Sequence, residues 1–255
     1  MPTLYGYPVW IAFLAGLAPL ILATEFGFRA GRRLGEAARQ RAKFETGSLQ
    51  ASILGLLALL LGFTYSTSMS NYQERRLLVV KDANAIATAL LRAQLLPKPL
   101  AQQASQALRR VLDLRLEWAA DDATQAQSAA KRGAEAQKDL WAIAVRFAEQ
   151  DRSAVAAQFI VAANAVIDSG AEREAAAANR LPIQMFGLLG LLALVAMAIT
   201  GYGCGIAGDR AFVATTIVSV LVTAVTIVIC DIHEPRQGFI TKSQQSLIDL
   251  RASLD

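Results

Sequence analysis

The stretch QASILGLLALLLGFTYSTSMSNYQERRLLVVKDANAIATALLRAQLLP, residues 50–97, decides the fold. Its first part, residues 50–64, is apolar and carries no charge, and neither Gly nor Pro interrupts residues 63–96. A helix that starts within a bilayer therefore runs on well beyond it, until Pro97 and Pro99 end it. Along this extension Leu77, Val80, Asn84, Ala87, Leu91 and Leu95 recur at steps of three and four. That period predicts a mainly apolar stripe that has to be buried against something.

Three further apolar runs, residues 9–26, 181–202 and 211–230, approach the roughly 20 helical residues that a hydrocarbon core about 30 Å thick demands. The only charge within the four runs is Glu25, near the end of the first, where it reads as a boundary residue. The first run has no Lys or Arg before it and no small-residue cleavage site after it, so it reads as a retained span, kinked at Pro19. Arg29, Arg32, Arg33, Arg39, Arg41 and Lys43 follow it, against Glu36 and Glu45. The positive-inside rule puts that loop in the cytoplasm of a plasma (inner) membrane protein, and the N-terminus, the long central segment and the C-terminus outside.

The central segment reads as helices in an antiparallel bundle. After Pro99, Leu108, Val111, Leu112, Arg115 and Trp118 mark one helix, with Asp121 and Asp122 as a loop or cap. A helix from about Thr124 carries Leu140, Trp141, Ala144 and Phe147. Another, capped by Asp151 or Ser153, carries Val155, Phe159, Ala163 and Val166 before Gly170 loosens the chain. Strand signals are absent. The expected fold is all-α: an integral membrane protein with four transmembrane helices and a helical-bundle lobe between the second and third. The divisions are 1–70, the first helix pair with its basic loop; 71–180, the lobe; 181–232, the second pair; and 233–255, a polar tail.

Composition narrows the function. The net charge of +4 sits mostly in the first loop, beside a span, which argues for orientation or anionic lipid rather than nucleic acid. Residues 71–180 hold thirteen acidic against fifteen basic side chains, so the lobe is no electrostatic trap. The sequence has no HExxH, GxSxG or phosphate-cradling glycine loop, and one histidine cannot fill several metal-ligand roles, so neither an enzyme nor a cofactor site is expected. Asp231, His233 and Glu234 lie close together, but local spacing does not converge three or four ligands, and a capped helix end before Pro235 explains them. Cys204 and Cys230 fall at opposite ends of adjacent spans, too far apart for a disulfide.

Some patterns admit two readings. Thr215, Ser219, Thr223 and Thr226 share one face of the fourth span, where their hydroxyls either line a polar path or bond across helices and back to their own carbonyls. Gly201, Tyr202 and Gly203 echo a potassium filter but lack its Val and pore helix, and read as the turn between the last two spans. Ala23, Gly27, Gly31 and Gly35 either admit a close helix or form a flexible loop. Arg75 and Arg76 read as interfacial anchors, or as a paired anion contact.

Two ordered series carry a resemblance. Gly62-Phe63-Thr64, Arg75-Arg76, Val79-Val80, Ala83-Asn84-Ala85-Ile86, Leu91-Arg92 and Leu95-Leu96-Pro97 form the first; Pro235-Arg236-Gln237-Gly238-Phe239-Ile240, with Ser243 and Leu247, forms the second. Together they resemble the bestrophin-like membrane proteins of bacteria and plants, a family of unknown function. Asp82 stands where that pattern has Glu, and Ala87 where it has Gly. The name implies likeness to bestrophins, pentameric anion channels with four membrane helices and a large helical cytosolic part. The resemblance thus implies a homo-oligomer in the lipid bilayer that conducts small ions, with Phe63 and Tyr65 of the second span, and the hydroxyls Thr215, Ser219, Thr223 and Thr226, as pore-lining candidates. Arg75, Arg76, Asn84, Pro235 and Gly238 are its motif residues. No acidic cluster matches the bestrophin calcium clasp, and the charge rule places the lobe opposite to a bestrophin's. The competing expectation is a membrane-anchored sensor or scaffold whose lobe binds a partner or ligand.

Overall fold

The computed structural model describes residues 3–4, 7–34, 36–119, 122–179, 181–233 and 243–254. Eight helices follow in order: α1 Val9–Arg32, α2 Glu36–Ala93, α3 Lys98–Trp118, α4 Ala123–Gln150, α5 Ala154–Ala178, α6 Ile183–Ala207, α7 Phe212–His233 and α8 Gln245–Ala252. One correction is minor: β1 Thr3–Leu4 pairs antiparallel with β2 Tyr7–Pro8 ahead of α1. Four stretches, within α1, α2, α7 and the segment that contains α6, are long and apolar enough to cross a membrane.

The chain divides into two compact units, Met1–Ser70 with Arg180–Ile240, and Asn71–Asn179 with Thr241–Asp255. Helix α2 contributes to both. It also begins earlier than its apolar run, because Glu36-Ala-Ala-Arg-Gln-Arg-Ala-Lys are strong helix formers that need no bilayer. Of the basic residues expected in a loop, Arg29 and Arg32 thus lie on α1 and Arg39, Arg41 and Lys43 on α2, with Arg33 between the two helices.

In the first unit Leu20, Leu57, Leu189, Ala193, Met197 and Ile229 form the core. Its tightest packing is between α1 and α6. A Cβ added at Gly27 would overlap the Ala198 carbonyl, one at Gly31 the Tyr202 carbonyl, one at Gly201 the Thr24 carbonyl, and one at Gly205 the Phe28 carbonyl. Two small-xxx-small faces therefore meet backbone to backbone, the arrangement that lets membrane helices gain dispersion contacts without a hydrophobic drive. Since later residues of α1 meet later residues of α6, the two helices run parallel. The glycines at 27 and 31 pack within a helix that does not fray after Phe28. Gly201 and Gly203 are not the turn expected of them: α6 continues through both, and Gly208, at φ 81°, ends it in the left-handed conformation that glycine adopts without penalty.

In the second unit Val79, Ala83, Ile86, Leu108, Leu112, Leu140, Phe147, Phe159 and Val166 form the core, joined by Leu247 of α8. Asp122 caps α4 by accepting from the Thr124 and Gln125 amides, and Ser153 caps α5. Pro182 is the N-cap of α6, one position before the first turn expected of it. Trp141 and Val155, expected in the core, are exposed.

The apolar stripe expected to be buried on α2 is the opposite face. Leu77, Leu91 and Leu95 are each more than 60% exposed and Val80 is exposed too, whereas Arg75, Val79, Asp82, Ala83, Ile86 and Leu90 are buried. Both faces have helical period. The inward one contains two charged residues, so hydrophobicity alone points the wrong way.

Candidate functional site

The sequence candidates on α2 lie on the surface of the first unit. Phe63 is 62% exposed and Tyr65 41% exposed, while Thr64 and Ser68 between and beyond them are buried. In the first unit positions 49, 56, 63 and 70, seven residues apart, are all exposed and read Leu, Leu, Phe, Ser. None is charged. Such a heptad row on an unpaired face is what one helix offers to another helix of the same kind.

On α7 the hydroxyls are spent locally. Ser219 donates to the Thr215 carbonyl at 2.9 Å, Thr223 to that of Ser219 at 2.8 Å and Thr226 to that of Val222 at 2.8 Å. Thr215 donates to the Phe212 carbonyl at 3.1 Å, and Thr215, Ser219 and Thr223 are buried. Back-bonding of this kind satisfies a hydroxyl inside a membrane helix without a partner helix.

Glu25 lies about two turns before the end of α1, paired with Arg29 at 2.8 Å and Arg210 at 3.4 Å. His233 ends α7 with its ring 5.4 Å from that of Phe186. Pro235 and Gly238 lie outside the described residues.

Arg75 bonds to backbone carbonyls of its own unit. It is buried, and its Nε donates to the Ala176 carbonyl at 2.9 Å and its Nη2 to the Asn179 carbonyl at 2.8 Å. Those carbonyls close α5, whose last turn has no intrahelical donors left, and a cation there also meets the negative end of the helix dipole. Arg76, next to it, faces solvent, as does Asn84.

Sequence reasoning missed the buried charge cluster of the second unit. Asp82, fully buried, accepts from Arg173 Nη1 at 2.5 Å and from Ser169 Oγ at 2.7 Å. Arg115 Nε approaches the same carboxylate to 3.6 Å, and its Nη1 lies 3.7 Å from Glu174. Arg173 also reaches Gln244 at 3.1 Å and stacks 5.4 Å over the Trp118 ring. One buried carboxylate thus draws α2, α3, α5 and the start of the C-terminal segment together. Gly170 does not loosen α5. A Cβ there would overlap the Arg115 guanidinium, so glycine is what admits that group. Burial pulls the Arg115 guanidinium below its usual pKa, with Asp82 opposing the shift and Arg173 adding to it. The sequence signals for this cluster were Arg115 among the apolar residues of α3 and the i, i+4 pair Ser169 and Arg173 on α5.

Residues 17–247 match the family described as the Bestrophin-like domain, and the chain belongs to that family. It is a multi-pass membrane protein. Among solved structures it is similar to a bacterial bestrophin homologue from Klebsiella pneumoniae, crystallised as a point variant, with a TM-score of 0.59 over 94% of this chain and 99% of that one. At 13% identity that likeness speaks for the fold. No curated protein matches the chain.

Proposed function

We propose that this protein is a homo-oligomer that conducts small ions, anions foremost, along a path lined by the exposed face of α2. The observation that carries the reading is the uncharged row from Leu49 through Phe63 to Ser70, which a single protomer leaves unpaired. A closed ring of such helices covers the flanks of each row against its neighbours and leaves its centre around an axis, with Phe63 as an apolar constriction. Ser66 and Ser70 add hydroxyls to that path, and residues 49–70 hold no acid that would repel an anion. The family membership supports the same class. The hydroxyls of α7 are secondary elements of the proposal, because each is already bonded to its own helix. In this proposal residues 71–180 are the extramembrane lobe and lie outside the cytoplasm, a reading supported by the arginines after the first span.

Phe63→Ala is expected to raise chloride flux through purified protein in liposomes several-fold by widening the constriction. Ser219→Ala and Thr223→Val, which remove hydroxyls at nearly constant volume, are expected to leave flux unchanged. Loss of flux in those two, with Phe63→Ala silent, would move the path to α7. The competing reading, a sensor or scaffold, draws on the continuity of α2 from its span into the second unit. It predicts no flux in any of the variants.

A further inference from the structure

The first unit contains a cleft of about 650 Å³ between α1, α2, α6 and α7. Its origin is the glycine crossing described above. Where α1 and α6 touch through Gly27, Gly31, Gly201 and Gly205 no side chain separates them, and toward their N-terminal halves they part, with Gly16 on one wall and Gly190 on another. The lining is almost wholly apolar. Even Thr223 and Thr226, which line it, have their hydroxyls turned to backbone carbonyls. One end is different: there Leu181, Ile183, Cys230 and His233 gather at the start of α6 and the end of α7.

The dimensions select the occupant. Along α6 the cleft runs from Ile183 to Leu194, about 16 Å at the helical rise of about 1.5 Å per residue. That is half of a hydrocarbon core about 30 Å thick, the depth of one leaflet. The volume also lies within the range of roughly 300 to 1,000 Å³ typical of small-ligand sites, which are mostly apolar with a few polar groups at one place.

From this depth and polarity we infer that the cleft holds one acyl chain of a bilayer phospholipid, its tail against Gly16 and Gly190 and its headgroup end at His233. The site is distinct from the α2 face, and the inference does not depend on ion conduction. The bound chain replaces contacts that α1 and α6 cannot make with each other where they part, so it ties the parted ends of the two helices together.

The test uses the full chain in vesicles of phosphatidylcholine whose acyl chain carries a mid-chain diazirine, irradiated and mapped by peptide mass spectrometry. Adducts concentrated on the peptide holding Gly190 and on that holding Gly16 are expected, saturating at one lipid per protomer. Gly190→Leu should abolish them with the mass of the assembly unchanged, since a Cβ at Gly190 meets nothing within 4 Å and the larger side chain fills the cleft without a clash. Ala12→Leu fills it from the opposite wall and serves if the first variant fails to fold. Adducts spread evenly over all lipid-facing helices, or unchanged in both variants, would overturn the inference by making the cleft ordinary lipid boundary. No adducts on either peptide, while the other lipid-facing helices are labelled, would overturn it in favour of a second copy covering the cleft.

Discussion

Gly201→Leu is expected to abolish recovery of folded protein from membranes. The Cβ alone would overlap the Thr24 carbonyl oxygen, and backbone, unlike the end of a side chain, cannot swing aside. The helices would have to separate, losing the contacts at Gly27, Gly31 and Gly205 together. Overpacking in soluble cores costs about 1 to 3 kcal/mol when neighbours can shift, and a backbone collision that parts two helices sits at or above the top of that range. The measurement is the midpoint of thermal unfolding in detergent, followed by the monodisperse fraction on a sizing column. Gly187→Leu is the control, because a Cβ at Gly187 meets nothing within 4 Å, and it should melt like the parent. A Gly201→Leu protein that melts at the parent temperature would contradict the α1 and α6 packing described above.

Asp82→Asn should destabilise the second unit by about 3 to 5 kcal/mol, the range found when one partner of a buried ion pair is removed and the other stays charged. Here the penalty falls on Arg173, which loses its 2.5 Å partner, and on Arg115, whose guanidinium is already pulled down by burial. Ser169 can still donate to the amide oxygen, so hydrogen-bond geometry alone does not account for the loss. A double-mutant cycle with Arg173→Met separates the two: if the pair is the unit, the double variant costs much less than the sum of the singles. Additive costs, or an Asp82→Asn change below about 1 kcal/mol, which is the scale of an exposed pair, would remove the cluster as the fixed point between α2, α3 and α5.

The apolar runs and the long helix after Phe63 could be read from the sequence because length and charge content suffice to specify a membrane span. The faces could not. Helix α2 is apolar on two sides, and the inward side carries Arg75 and Asp82, whose burial is tolerated only because α5 offers two carbonyls to one and an arginine and a serine to the other. Those partners are about ninety to a hundred residues away and no local period announces them. The glycines at 27 and 31 were legible as a packing face, yet their partner face at Gly201 and Gly205 was hidden by the likeness of Gly201-Tyr202-Gly203 to a turn. Helix α8 was missed as a polar tail, although Leu247, Leu250 and Leu254, spaced by three and four, were the signal for it, and all three pack on the second unit's core. The pore candidates Phe63 and Tyr65 were visible as bulky residues at the end of a span, but their exposure in a protomer follows only from which face of α2 the other helices leave uncovered.

Ion flux from proteoliposomes under a chloride gradient and then a potassium gradient, with the mass of the assembly taken from the same preparation, tests the central claim most directly. The expected result is a ring of several protomers that passes chloride faster than potassium. A monomer or dimer that passes neither would contradict it.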